Sequence, residues 1–252
     1  MSNLLDPGSG AIVLLLLSVL VLVALTILHR RRETSTYVRK LPVLEALQQE
    51  LGRATESSTP IHFALGSGAL GSGDTITSLA GLQVLEGLVD TAVSYDVPPI
   101  ITVGDPTLLP LAQDVLRRAY ERRQVTELYD PSQVRFVAPS SLAYAAGAIP
   151  TGAPEDATAT VTVGAFGPEV SLIAHESSRR GTPQLAAVDS PQSIGALYPA
   201  VHDLAVGEEL YAIGAHVKEE KQVLTNLMAE DILRFVLALT ILGAAALALI
   251  SG

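Results

Sequence analysis

Gly66, Gly68 and Gly71 stand in the spacing G-x-G-x-x-G, between an apolar run and a segment with helical periodicity. The chemistry that pattern serves is anion binding. Glycine lets the backbone approach a pyrophosphate, and the amides of the following helix then face its charge. Ser67, Ser72, Gly73, Asp74 and Thr75 extend the stretch with hydroxyls and further turn formers. Two features depart from a dinucleotide fingerprint. That fingerprint places an acidic residue about 20 residues on, at the end of the second strand. Here Glu86 and Asp90 lie nearest that spacing but fall in mid-helix, and the second strand ends only at Asp105. The glycines also run on through Gly73, so the loop is longer than a tight dinucleotide turn. The Lys-Ser/Thr of a P-loop is missing as well. Three readings stay open: a dinucleotide, another small anionic ligand, or a flexible turn that serves structure alone.

Further candidates sit where strands end. They are Asp105 with Thr107, Ser140 with Ser141, Asp189 with Ser190, and His216. Ligands of open parallel sheets gather at that edge. Two carboxylates at neighbouring strand ends suit acid–base work or a hard cation. The plainer reading is helix capping. Asp105 before Pro106, and Asp189-Ser190 before Pro191, present a side-chain acceptor at the N-cap and a proline where no amide is needed. Metal ligation has little support, because His62, His175, His202 and His216 lack ligand spacing. The chain has no cysteine and no serine in G-x-S-x-G, which leaves no nucleophile signature. Aromatic residues are 4% and tryptophan is absent, which argues against a base-stacking platform.

The elements that must position these residues follow a rhythm. Short continuous apolar runs at 61–65, 99–103 and 134–138 each lead, through small or acidic residues, into segments with helical periodicity at 75–96, 107–124 and 142–149. Buried strands alternating with helices predict a parallel sheet covered on both faces. A helix at 41–53, stopped at Gly52, precedes the first strand. Further on, 158–166 and 170–175 alternate at period two around Gly167-Pro168-Glu169, which predicts an antiparallel hairpin. A strand at 185–188, a helix at 191–204 and a last strand at 210–217 complete the pattern. The fold class is α/β: a Rossmann-like, three-layer, mostly parallel sheet with an inserted antiparallel hairpin, flanked by two transmembrane helices.

The flanks carry most of the apolar excess in a chain of 252 residues that is 48% hydrophobic. Residues 11–28 form an uncharged apolar run, and 232–250 form a second with Arg234 as its one charge. About 20 such residues span a bilayer as a helix. The first run exceeds the h-region of a cleaved signal, and no Lys or Arg precedes it. Arg30, Arg31, Arg32, Arg39 and Lys40 follow it, and Lys218, Lys221 and Arg234 stand on the N-terminal side of the second. Positive charge marks the cytoplasmic end of a span. The expected organisation is an extracytoplasmic N-terminus at 1–10, a span at 11–29 and a linker with amphipathic helix at 30–59. A cytoplasmic α/β domain at 60–217, a helical stalk at 218–231 and a second span at 232–250 follow, with both termini outside the cell membrane. Ala244 and Ala248, with Gly243, suit close helix approach within a bilayer. The formal net charge of −10 repels nucleic acid, so the expected partners are lipid and protein: a bilayer, another copy, or a membrane complex.

The segment Val103-Gly-Asp-Pro-Thr-Leu-Leu-Pro-Leu-Ala-Gln-Asp-Val-Leu-Arg-Arg-Ala-Tyr120, with the glycine turn upstream, resembles an uncharacterised family of membrane-anchored prokaryotic proteins known only as a domain of unknown function. The resemblance implies membrane anchoring. It implies no activity, cofactor or catalytic residue. The sequence reading is a membrane-anchored α/β domain serving assembly or small-ligand binding. A nucleotide-binding membrane enzyme or sensor using the glycine loop is the alternative.

Overall fold

The computed structural model describes residues 42–154, 156–201 and 203–218. Both terminal apolar runs, the linker, the stalk, His202 and the Ala244–Ala248 patch lie outside the described residues. Lys40–Lys218 forms one compact unit.

Six strands make one sheet: β1 (Ile61–Gly66), β2 (Pro99–Val103), β3 (Val134–Phe136), β4 (Ala159–Ala165), β5 (Gln184–Val188) and β6 (Asp203–Val206). Their order is β3-β2-β1-β4-β5-β6, and each neighbouring pair is parallel. This is the doubly wound order of Rossmann-type sheets. β1 and β4 lie at the centre and are buried along their whole length. Among the described residues, seven α-helices flank the sheet: α1 (Pro42–Ser57), α2 (Thr75–Ser94), α3 (Leu109–Arg122), α4 (Ser141–Gly152), α5 (Val170–Arg180), α6 (Pro191–Leu197) and α7 (Glu208–Lys218).

Alternation along the strands divides the core in two. Ile61, Phe63 and Leu65 of β1 face the cluster built with α1, α2, α3 and α7. Ala64 faces the smaller cluster built with α4, α5 and α6. Each buried Ile, Phe or Leu side chain contributes about 1.5–3 kcal/mol relative to exposure. α2 is apolar on most sides because it lies between α3 and α7 over the sheet. It is the one described helix long and apolar enough to cross a membrane, but 61% of its most apolar 18-residue stretch is buried inside the protein. In this unit it is a core helix.

The structure departs from four sequence expectations. The antiparallel hairpin does not exist, because the segment expected to return beside β4 is helix α5. Val170, Ile173, Ala174 and Ser177 are the buried positions, which is helical spacing. Arg179 and Arg180 fill the last turn, and Gly181 ends it at φ 68. The alternation of Val170-Ser-Leu-Ile-Ala-His175 was therefore incidental. The strand expected at 210–217 is helix α7, opened by Glu208 and Glu209 and buried through Leu210 and Ile213. The true last strand, β6, starts in the last two residues of the segment read as helix 191–204 and runs on into a stretch given no element; it is only 4 residues long. Gly52 does not stop α1, which runs to Ser57 and ends where Ser58 takes φ 55.

Candidate functional site

The sheet reverses winding direction between β1 and β4, and the glycine loop leaves β1 at that point. Gly66 holds φ 82, and the β1–β4 register shifts between Ala64 and Gly66. Three neighbours clamp the loop's root. The Ser67 amide donates to the Ala165 carbonyl at 3.3 Å, and the Gly104 amide donates to the Gly66 carbonyl at 2.9 Å. The Gly66 amide donates to the Tyr144 hydroxyl at 3.2 Å. A Cβ on Gly68 would lie 2.5 Å from both the Ala165 Cβ and the Ser78 Oγ. Gly66 and Gly68 are thus required by close packing across the switch point.

The rest of the loop is braced by hydroxyls. Asp105 accepts from the Thr107 amide at 2.8 Å and from the Thr107 hydroxyl. Thr107 Oγ1 in turn accepts from the Leu70 amide at 3.1 Å. Thr75 Oγ1 accepts from the Gly71 amide at 2.8 Å and donates to the Ser72 carbonyl at 2.7 Å. Ser72 Oγ donates to the Ala69 carbonyl at 2.7 Å and accepts from the Asp74 amide at 3.2 Å. Gly71 (φ 87) and Gly73 face open space at the tip. The loop therefore has a closely packed root and a tip that is braced from within but open on its outer side.

Asp105 joins the glycine loop through Thr107, as its place at a neighbouring strand end predicts. It does not cap α3, which starts at Leu109 behind Leu108; the proline in the first turn is Pro110, and Asp105 instead closes a turn one step earlier. Asp74 precedes α2 without a side-chain capping bond. Ser140 stands at the N-cap of α4, also without a side-chain bond. Ser190 caps α6, accepting from the Ser193 amide at 3.3 Å. Asp189 turns away from that helix: its Oδ2 accepts from Thr77 Oγ1 at 2.6 Å and from the Tyr211 hydroxyl at 3.1 Å. The two candidate carboxylates, Asp105 and Asp189, serve different partners. His216 falls within α7, and its side chain lies outside the described residues.

Sequence reasoning missed a buried polar network under the loop root. His62 is fully buried, and its Nε2 lies 2.8 Å from Thr102 Oγ1. Thr102 Oγ1 lies 3.2 Å from the Tyr144 hydroxyl, and Tyr144 donates to the Thr102 carbonyl at 3.2 Å. We assign the imidazole proton to Nε2. It then donates to Thr102, Thr102 donates to Tyr144, and Tyr144 donates to the carbonyl while accepting the Gly66 amide. Each donor has an acceptor, and only the Nδ1 lone pair is unpartnered. Burial, with the Arg135 charge second, lowers the His62 pKa from 6.5 to about 3. Burial likewise raises Tyr144 to about 12, so both groups stay neutral at ordinary pH. One signal was available in the sequence: a histidine inside an apolar strand, with a threonine on the same sheet face two register positions further along the next strand.

Among the described residues, no three His, Cys, Asp or Glu come together to hold a metal. A groove of about 510 Å³ opens on the opposite edge of the sheet, lined by Arg53, Thr59, Thr158 and Arg180 among others. Its lining is polar and open, unlike the mostly apolar pockets that enclose small ligands.

The fold and the loop define a doubly wound α/β protein with a glycine-rich turn at its switch point. The chain belongs to the family described as a domain of unknown function, DUF6754, whose profile matches residues 3–252. No curated protein and no solved structure matches the chain.

Proposed function

We propose that this is a membrane-tethered domain, held in the cytoplasm by spans at 11–29 and 232–250, that assembles with itself or with a neighbouring membrane complex. The observation that carries the reading is the placement of two long apolar runs at either end of a compact α/β unit. Basic residues on the inner flank of each run support the topology, with both termini outside. The acidic net charge favours protein partners over nucleic acid. A reporter active only in the cytoplasm, fused after Gly252, is expected to be silent, and the same reporter placed after Lys40 is expected to be active. The reverse pattern overturns the topology. Mass measurement of the detergent-solubilised protein is expected to give a multiple of the chain mass or a co-purifying complex. A lone monomer ends the assembly reading.

A second reading is a nucleotide-binding enzyme or sensor. The strand order favours it, because the glycine loop leaves β1 where doubly wound sheets bind dinucleotides. The internal bracing of the loop's amides weighs against it. Thermal shift of the purified protein against NAD, ATP and nucleotide sugars decides the matter. A ligand at 100 times its Kd adds about 2.7 kcal/mol, and a melt that none of them moves removes this reading.

A further inference from the structure

Asp189 closes β5, yet its carboxylate serves two other elements. Thr77, in the first turn of α2, donates to Oδ2 at 2.6 Å, and Tyr211 of α7 donates to the same oxygen at 3.1 Å. The two hydroxyls lie 3.3 Å apart. Each carries one proton, and an ionised carboxylate accepts both, so neither has to choose between Asp189 and the other. Burial raises the Tyr211 pKa, and the nearby Asp189 charge adds to that, which keeps Tyr211 a donor.

The clamp lies one helical turn from the glycine loop. Thr75, whose hydroxyl holds Gly71 and Ser72, stands two residues before Thr77. On the other side, α7 packs along α2, with Gly214 so close that a Cβ there would lie 3.3 Å from that of Gln83. α7 leads into residues 219–252, which carry the second apolar run.

We propose that Asp189 is a coupling residue that ties the docking of α7 to the conformation of the glycine loop. Contact at the loop tip, by a ligand or a partner protein, is thereby felt at the root of the C-terminal segment, and force on that segment is felt at the loop. The coupling stands whichever occupant the loop takes, and it requires neither reading above.

Hydrogen exchange read by mass spectrometry on the full chain in detergent tests this. The informative variant is Tyr211→Phe, because it alters only α7. Loss of a hydrogen bond to a charged group raises the local opening constant roughly tenfold. Faster exchange is expected in α7 and also in residues 68–78, with β1 and β2 unchanged. Asp189→Asn is expected to quicken both regions, and adding Tyr211→Phe to it is expected to change little more. Thr77→Val, made in α2, is expected to quicken α7. Faster exchange confined to the mutated element overturns the coupling, and so does a uniform rise across the sheet. If Asp189→Asn fails to fold, Tyr211→Phe and Thr77→Val decide between these outcomes by themselves.

Discussion

A Cβ on Gly68 would sit 2.5 Å from the Cβ of Ala165. The turn leaving β1 and the end of β4 therefore meet where the sheet reverses direction, with no room for a side chain between them.

Gly68→Ala is expected to force the loop off β4 and to destabilise by about 1–3 kcal/mol, the usual cost of overpacking. Gly73→Ala, where a Cβ meets nothing within 4 Å, is the paired control. It is expected to be neutral or to stabilise by up to about 1 kcal/mol through the unfolded chain. Urea midpoints of the two variants check both statements. Equal effects would show that the two glycines do not differ in role.

Tyr144→Phe removes the acceptor of the Gly66 amide and the donor to the Thr102 carbonyl. An unpartnered buried amide costs about 1–3 kcal/mol. The variant is expected to lose that stability and, in amide-resolved exchange, to lose protection at Gly66 before the rest of β1. Unchanged protection there would remove Tyr144 from the loop's support.

His62 makes stability depend on pH in a defined direction. Its folded pKa, about 3, lies below its ordinary value of 6.5. Above pH 6.5 both states are neutral and the full stability is present. Between 6.5 and 3 the unfolded chain takes up a proton that the folded protein refuses. Stability then falls with falling pH, by up to roughly 1.4 kcal/mol per unit. Between pH 6.5 and 5, above the ordinary carboxylate range, the wild-type urea midpoint is expected to decline. In His62→Gln that decline is expected to be shallower.

The arginines at the end of α3 have a modest role. Arg122 bridges to Glu86 and Asp90 of α2, and Arg123 also reaches Asp90. Their side chains are 42% and 44% exposed. Arg122→Ala is expected to cost less than about 1 kcal/mol, and 0.5 M salt is expected to remove most of that difference. A larger, salt-insensitive loss would point to packing of the arginine stem.

The first half of the fold was legible because its signals are redundant. β1 and β2 are continuous apolar runs, and α2 and α3 have long helical periodicity between small and acidic turns. In the second half single signals misled. Residues 170–175 fit period two over too few positions to exclude a helix, and Arg179, Arg180 and Gly181 were the better guide. β6 has 4 residues, the shortest run in which alternation counts, and its Asp-Leu-Ala-Val does not alternate. Asp105 and Thr107 lie beside the glycine loop, as their place at a strand end suggested. The contacts of Thr77, Tyr144 and Tyr211 were not legible, because each acts on a residue more than twenty positions away.

Local pattern alone determined the α/β class, the glycine turn, the Ser190 cap and the two apolar ends, because each rests on neighbours a few residues apart. Only the tertiary structure decided what those residues do. It separated Gly66 and Gly68, pressed against Ala165, from Gly71 and Gly73 in open space, although all four look alike in the chain. It turned Asp189 from a cap into an acceptor shared by α2 and α7. The physical reason is that close packing and hydrogen bonding depend on which strands become neighbours. Strand order is set by burying the whole sheet at once, and no short stretch of sequence records it.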